Sequence, residues 1–408
     1  MKDKKLNINY GLIQGCYWLL AAVFLAFMTP ILQEKGFTNS QIGILLGVRC
    51  IATVISQPIV SNLADKYVDK IPLKIITAII VYLAGIFNLL FLMLPMSFVP
   101  TVVLFFFIGA VTYCISPMID AVGMEFMNLK RKLNYTLCRS VGSATWAFAC
   151  IGVGLMITKW GANSVLVLGI VFLFILGTIL LHIETAGKRK KEEEDIELTK
   201  IPHSLFSMLK SNKGYTWFLI AYTLTYMSSI LCNTFQIDVI TGLGGNNTSL
   251  GYAEFILAIS EVPVIFFYSK VEKKIGLKKI LIFIFIFGTL KSLCQSFAPN
   301  LACFMLVQLL EMLSWGMSYT AVVRFVMKAV PAEDLVKGQG LISVAGVGIG
   351  NSVGAYISGI IYDIFDLKVL LILGVLIGIV SIGILLIALY FPFKYCENKK
   401  LIEKESLL

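Results

Sequence analysis

Apolar residues in this chain come in blocks of twenty or more, separated by short polar stretches. Blocks of that length exceed an ordinary core helix and match the hydrocarbon thickness of a bilayer. Twelve of them fall at about 8–33, 39–63, 73–95, 98–128, 134–158, 162–183, 214–241, 249–270, 278–298, 300–329, 335–362 and 368–391. The pattern predicts an all-α integral membrane protein with twelve transmembrane helices. One long polar stretch interrupts the series, GKRKKEEEDIELTKIPHSLFSMLKSNKG at 187–214. A basic block, an acidic block and a short amphipathic tract follow one another there, and such a composition neither spans a membrane nor builds a core. It divides the chain into an N-terminal six-helix bundle at 1–186, a linker at 187–213, and a C-terminal six-helix bundle with a short tail at 214–408.

Composition narrows the function. The chain is 58% hydrophobic and 14% charged, against about a quarter charged in soluble domains. Its nine cysteines are scattered through apolar runs without a C-x-x-C, which reads as buried thiols rather than a disulfide framework or a metal site. The net charge of +10 raises nucleic acid as a partner, but the distribution of charge argues for topology instead. With the N-terminus inside, only Lys35, Lys159 and Lys368 fall in outer loops. The positive-inside rule then puts both termini in the cytoplasm of a plasma-membrane protein, and the basic loops meet anionic lipid headgroups. The MKDKK head runs into a full-length span without a cleavage site, so the first span is expected to stay. Nothing resembles a nucleophile–base pair, a metal cluster or a phosphate loop, and the two histidines, His182 and His203, flank the linker. The sequence is not expected to encode an enzyme or to need a cofactor. The tail EKESLL and the outer-loop NNTS fit a sorting signal and a glycosylation acceptor, both short patterns.

Six ionisable residues lie inside the apolar blocks: Arg49, Asp120, Arg139, Glu261, Lys291 and Glu311. At 1.5 Å per residue each sits about 10–18 Å from its helix end, in the middle third of a roughly 30 Å layer. Charge is costly there, so each is a candidate functional group. Three are cations, three are anions, and each half supplies three. The simplest arrangement is a near-neutral network around an aqueous cavity, although any one pair can also serve as a lock on helix register. In CRSVGSATWAF, Arg139 and Trp146 are seven residues apart, about 20° in azimuth and 10 Å in height on a helix. Gly142 and Ser143 between them leave the surface low. A fork of donors beside an aromatic platform suits a polar ring with an apolar face, such as a sugar. The plainer role for Trp146 is packing.

The two halves echo each other. SNLADKYVDKIPLK follows the second block and YSKVEKKIGLKK the eighth. With twelve spans, a six-plus-six split and these basic turns, the chain resembles the major facilitator superfamily. The resemblance implies two bundles that rock about a central site, with Asp65, Lys66 and Glu272 in the gating loops. Arg139 and Trp146, with Asp120 after Pro117 and Glu261 in AISEVP, resemble the lactose-permease-like branch of proton symporters. That likeness implies an Asp120–Arg139 charge pair that binds hydroxyls, Trp146 stacked on a sugar ring, and Glu261 in contact with the solute; Arg49 joins them as a solute-binding candidate. The second half departs from the branch. Lys291 stands where arginine is usual, Glu311 where histidine is, and Ser314 where the proton-carrying glutamate is. The acids of the seventh helix are Met227 and Ile230, and Asn351 sits on the eleventh. Proton coupling then moves to Glu311 with Lys291. The expected function is proton-coupled uptake of a small polar solute, a sugar, oligosaccharide or nucleoside, by a monomer. The alternatives are a drug/proton efflux antiporter on the same fold, or a non-transporting sensor.

Overall fold

The computed structural model describes residues 2–67, 70–94, 97–129, 131–185, 205–331 and 334–392. Most of the linker, at 186–204, and the tail from 393 lie outside the described residues, as does the side chain of Asp65. The twelve apolar blocks are helical. We number them α1 (Lys2–Ala21, Ala22–Ala26 and Met28–Glu34), α2 (Asn39–Tyr67), α3 (Leu73–Met93), α4 (Phe98–Thr112 and Ile115–Asn128), α5 (Tyr135–Trp160) and α6 (Ala162–His182). The second series is α7 (Lys213–Asn233 and Gln236–Gly242), α8 (Asn247–Ile275), α9 (Leu277–Ser296), α10 (Leu301–Val307, Gln308–Leu313 and Trp315–Ala329), α11 (Leu335–Ser343, Val344–Asn351 and Ser352–Ile364) and α12 (Leu367–Tyr390). By length and apolarity ten described stretches can cross a membrane, or eleven if the bent α8 counts as one. The twelfth, α9, is 20 residues long, and Lys278, Lys279 and Lys291 dilute its apolar character.

The first helix of every consecutive three (α1, α4, α7, α10) is interrupted near its middle. Proline accounts for two of these breaks. Pro30 has no N–H for the carbonyl of Ala26, and Pro117 has none for that of Tyr113; each ring also crowds that carbonyl. The breaks at Phe27 and at Tyr113–Cys114 follow. A broken helix leaves backbone groups unpaired where no water can reach them. The structure pairs several of them from other side chains. Arg49 Nη1 of α2 donates to Phe24 O in α1 at 2.6 Å. Gln295 Nε2 of α9 donates to Cys232 O at the α7 break, at 3.1 Å. In α4, Cys114 Sγ donates back to Ala110 O at 3.1 Å. At the α10 break the hydroxyl of Ser314 donates to Glu311 O of its own helix, at 3.3 Å.

The chain forms two compact units. The first comprises Met1–Lys191, Thr234–Ala258 and Ala355–Ile364; the second comprises Glu192–Asn233, Ile259–Gly354 and Phe365–Leu408. In the first, α1 packs on α5, α2 on α4, and α3 on α6. The start of α8 and the end of α11 join it through backbone-to-backbone seams. A methyl group on Gly43 would collide with Ala355 O, and one on Gly359 with Asn39 O. The same holds for Gly154 against Asn247 O and for Gly251 against Cys150 O. Few polar bonds accompany these seams. Asp363 Oδ2 accepts from Ser40 N at 2.7 Å, Gln33 Nε2 donates to both Asp238 oxygens at 3.0 and 2.9 Å, and Thr248 donates to Thr158 at 3.1 Å. In the second unit α7 lies between α12 and the π-wound Val344–Asn351 stretch of α11. Its core is aromatic, with the Phe218 and Phe325 ring centroids 4.1 Å apart.

The repeat seen in the sequence has a physical counterpart. Lys74, at the start of α3, donates to Leu181 O and Ile183 O at the end of α6, at 3.1 and 2.5 Å. Lys278, at the start of α9, donates to Leu389 O and Phe391 O at the end of α12, at 2.7 and 3.4 Å. Each lysine satisfies terminal carbonyls and the negative end of the helix dipole in its own half. Both α2 and α8 also carry a proline within the helix, Pro58 and Pro263.

The patch on α1 yields a stability prediction. Arg49→Met would leave Phe24 O without its partner, at a cost of about 1–3 kcal/mol. The unfolding temperature of the purified protein should fall, and Arg49→Lys should restore part of it. Unchanged stability with lost solute binding would assign Arg49 to the solute site instead.

Candidate functional site

In the first unit α1, α4 and α5 bring together one polar and one aromatic cluster. Asp120 Oδ1 accepts from Tyr135 Oη at 2.9 Å and from Gln14 Nε2 at 3.3 Å. Gln14 Nε2 also reaches Tyr10 Oη at 3.2 Å, and Tyr10 donates to Ile119 O at 3.1 Å. Neutral donors thus hold the Asp120 carboxylate. Arg139 Nη1 donates to Ser143 Oγ at 3.2 Å, and its guanidinium lies over the Trp18 ring, 4.2 Å from the centroid. Trp18 meets Trp146 edge to face, centroids 5.8 Å apart and planes at 81°. Arg139 and Trp146 share a face as their spacing requires, and Trp18 touches both.

Two details differ from the sequence expectation. Among the described residues no ion pair within 4.0 Å joins Asp120 to Arg139: an aromatic face and a hydroxyl hold the guanidinium, and a phenol and an amide hold the carboxylate. The low surface over Gly142 is also filled. Trp18 lies so close that a methyl group on Gly142 would collide with Trp18 Cδ1. Seating the indole there leaves its Nε1 buried without a hydrogen-bond partner. The sequence reading missed Trp18, Gln14 and Tyr135. Tyr10, Gln14, Tyr17 and Trp18 recur at intervals of three and four on α1, so the helical period held the signal. No charge drew attention to it.

Arg49 is 7% exposed. Beyond its bond to Phe24 O it lies 5.6 Å from the Tyr113 ring centroid, and its Nε is buried without a partner. Its observed bond spans the α1 break, so the structure uses it to hold the backbone.

In the second unit Lys291 of α9 and Glu311 of α10 form an ion pair, Nζ to Oε2 2.6 Å, with each side chain 7% exposed. Glu311 sits in the 3₁₀ turn that interrupts α10. Lys291 lines a recess of about 20 Å³ with Thr225, Ser228, Ser229, Asn233, Ser292 and Trp315 among its other walls. Glu261 is half-buried and packs over Gly316 of α10. Glu272 pairs with Arg324, and Lys328 Nζ lies 4.0 Å from its Oε1. This gating-loop candidate is therefore tied to α10 within the second unit. Lys66 is exposed at the end of α2. A larger recess of about 300 Å³ at the start of α7 is lined by Asn212, Lys213, Tyr215, Phe325 and Phe391 among others, and it includes none of the six intramembrane charges.

Comparison with known proteins identifies the family and the fold. The sequence matches the model of the MFS_1-like family over residues 11–373. It is 22% identical over 392 residues to the uncharacterized transporter YwbF of Bacillus subtilis, with 95% of each chain covered. It is also 22% identical over 345 residues to the maltose permease of Geobacillus stearothermophilus, with 84% of each covered. The fold matches a crystal structure of a mutant of the nucleoside transporter NupG, with a TM-score of 0.82, 15% identity, and 94% and 99% of the two chains covered. It also matches a bacterial homologue of the human lysosomal transporter Spinster in an inward-facing and unoccupied conformation, with a TM-score of 0.62, 12% identity and 95% of each chain covered. These relatives are transporters, not enzymes, and the all-helical fold expected from the sequence is the fold they share. The chain belongs to the MFS_1-like family, as a multi-pass membrane transporter of the major facilitator fold.

Proposed function

We propose that the chain is a proton-coupled symporter that takes up a small polar solute, a sugar, oligosaccharide or nucleoside, by alternating access. The observation that carries this reading is the Arg139–Trp18–Trp146 cluster. The guanidinium there is held by a ring and one hydroxyl, and among the described residues no carboxylate forms an ion pair with it within 4.0 Å. Its remaining N–H groups suit acceptor oxygens or ring nitrogens of a solute, and the two indoles at right angles suit a flat ring with an apolar face. Asp120 supplies an acceptor for solute hydroxyls, and Glu261 is proposed to add a second from α8. The Lys291–Glu311 pair handles the proton. When Glu311 is ionised Lys291 balances it; when a proton takes that role the pair can separate. The names of two relatives, a maltose permease and a nucleoside transporter, favour the same solute classes. Both termini are placed in the cytoplasm of the plasma membrane, with 1–186 and 214–408 as two bundles and Asp65, Lys66 and Glu272 in the loops that gate them. A monomer suffices for this scheme.

Three experiments test it. Trp146→Phe should weaken solute binding moderately and Trp146→Ala more, about five-fold or greater, because the aromatic face contributes roughly 1 kcal/mol. Arg139→Lys should also fail, since an ammonium does not reproduce a planar fork of donors. Normal uptake by both Arg139→Lys and Trp146→Ala would remove the solute site from this face.

Glu311→Gln imitates the protonated carboxyl permanently. Uphill accumulation driven by a proton gradient should be lost, while solute binding and equilibrium exchange persist. Uphill uptake by Glu311→Gln at the unmutated rate, or uptake driven by sodium instead of protons, would sink the coupling scheme.

Orientation is checked by labelling intact cells with an impermeant thiol reagent. A cysteine at Asn246, exposed between α7 and α8, should react, and one at Glu194 should not. The reverse pattern would invert every loop.

A further inference from the structure

The recess of about 300 Å³ in the second unit stands where α7 begins, among groups that suit a phosphate. Asn212 is the residue before the helix, and Lys213, Gly214 and Tyr215 are its first turn; all four line the recess. The first backbone bond of this helix runs from Thr216 N to Asn212 O at 3.0 Å, and among the described residues no backbone carbonyl takes the N–H of Lys213, Gly214 or Tyr215. Three free donors at the positive end of a 21-residue helix favour an anion. The Asn212 side chain does not cap them. Its Nδ2 turns back to Met208 O at 2.9 Å, and its Oδ1 has no partner although the residue is only 4% exposed. A ligand suited to this wall brings a hydrogen-bond donor as well as a negative charge.

The surroundings are those of a lipid headgroup. Lys213 lines the recess, and the same ends of the helices carry Lys210, Lys278 and Lys279. The acids Glu272 and Asp334 at this end are already paired, with Arg324 and Lys337. Phe325, Ala329, Ala388, Phe391 and Pro392 complete the lining with apolar surface. Tyr390 beside them is 86% exposed, as suits an aromatic ring at the membrane interface. Basic pockets between helix ends at this depth are where anionic headgroups bind.

We propose that the recess is a binding site for the headgroup of an anionic glycerophospholipid with hydroxyl donors, of the phosphatidylglycerol type. Its phosphodiester meets Lys213 and the first turn of α7, a glycerol hydroxyl donates to Asn212 Oδ1, and its chains follow the apolar lining. The site is separate from the Arg139–Trp18–Trp146 cluster and from the Lys291–Glu311 pair, so it is independent of the transport scheme.

The test is native mass spectrometry and thermal unfolding of the purified full-length protein, with phosphatidylglycerol, phosphatidylethanolamine or phosphatidylcholine titrated into detergent. Phosphatidylglycerol should be retained at lower concentration than the other two and raise the unfolding temperature by a few degrees, saturating as a bound ligand does. Lys213→Glu and Asn212→Asp each put a carboxylate at the start of α7, which suits the bare helix and repels a phosphate. Phosphatidylglycerol affinity should fall about five-fold or more in each, while the lipid-free unfolding temperature holds or rises. Lys279→Glu makes the same charge change outside the recess and should stay within about two-fold of wild type, since distant exposed charges are screened. Wild-type affinity in both Lys213→Glu and Asn212→Asp would overturn the proposal, as would an equal loss in Lys279→Glu, which is the mark of diffuse attraction. Equal retention of the three lipids would also overturn it. So would saturable stabilisation of the same size by glycerol 3-phosphate, which would make this a site for a soluble phosphate.

Discussion

Hydrocarbon offers no hydrogen bonds, so every backbone group within the membrane must be paired by the protein itself. An unbroken helix meets that requirement internally. This chain breaks α1, α4, α7 and α10, and much of its intramembrane polarity answers for those breaks. Arg49 bridges to Phe24 O, Gln295 to Cys232 O, and Ser314 to the carbonyl of Glu311. The α10 interruption differs from those of α1 and α7 in being closed from within its own helix. It also carries Glu311, so the carboxyl proposed to take the proton sits on this interrupted turn.

Asp120 and Arg139 in the first unit and Lys291 and Glu311 in the second have different kinds of partner. In the second, opposite charges meet directly at 2.6 Å. Removing one partner of such a pair strands the other, which makes the pair sensitive to any event that changes either charge. In the first, Asp120 and Arg139 are each held by neutral groups. Neutral partners position a charge without cancelling it, and its attraction remains available to a solute. The proposed function accordingly places recognition in the first unit and proton handling in the second, although the sequence distributes charges equally between the halves.

Periodicity made the fold legible. The twelve apolar blocks and the echo around Lys74 and Lys278 are both patterns of position. Hydrophobic burial and helix ends dictate position, so those readings carried through to the structure. Charge at depth also singled out Lys291 and Glu311, whose pairing follows from proximity of opposite signs on successive helices. Partner choice was harder. Arg139 had an apparent partner in Asp120, whereas a tryptophan on α1 lies against it, and α1 carries no charge between Lys5 and Glu34 to mark that face. The depth of Arg49 was readable from the sequence, whereas its bond to Phe24 O beside the α1 break was not. Proline shows why α1 and α4 break, but the α7 break at 234–235 has no proline or glycine within it.

The seams of the first unit suit the alternating access proposed for this chain. Contacts meant to last are made by interdigitated side chains, as in the Phe218–Tyr222–Phe325 stack, where separation would expose large apolar surfaces. The seams of α2 with α11 and of α5 with α8 are instead mainly carbonyls resting on glycines, with a few single hydrogen bonds and one ring contact, Phe148 against Phe255 with centroids 5.5 Å apart. Each such bond contributes about 0.5–1.5 kcal/mol net. Little side-chain surface is lost when these helices part, and the freed Ser40 N–H, Asp363 and threonine hydroxyls lie at helix ends, where water can take over. Glycine thus allows an approach close enough to exclude water while keeping the contact weak enough to reverse. A larger residue at Gly43, Gly154, Gly251 or Gly359 would lose the close approach first, and the fold of each helix would survive it.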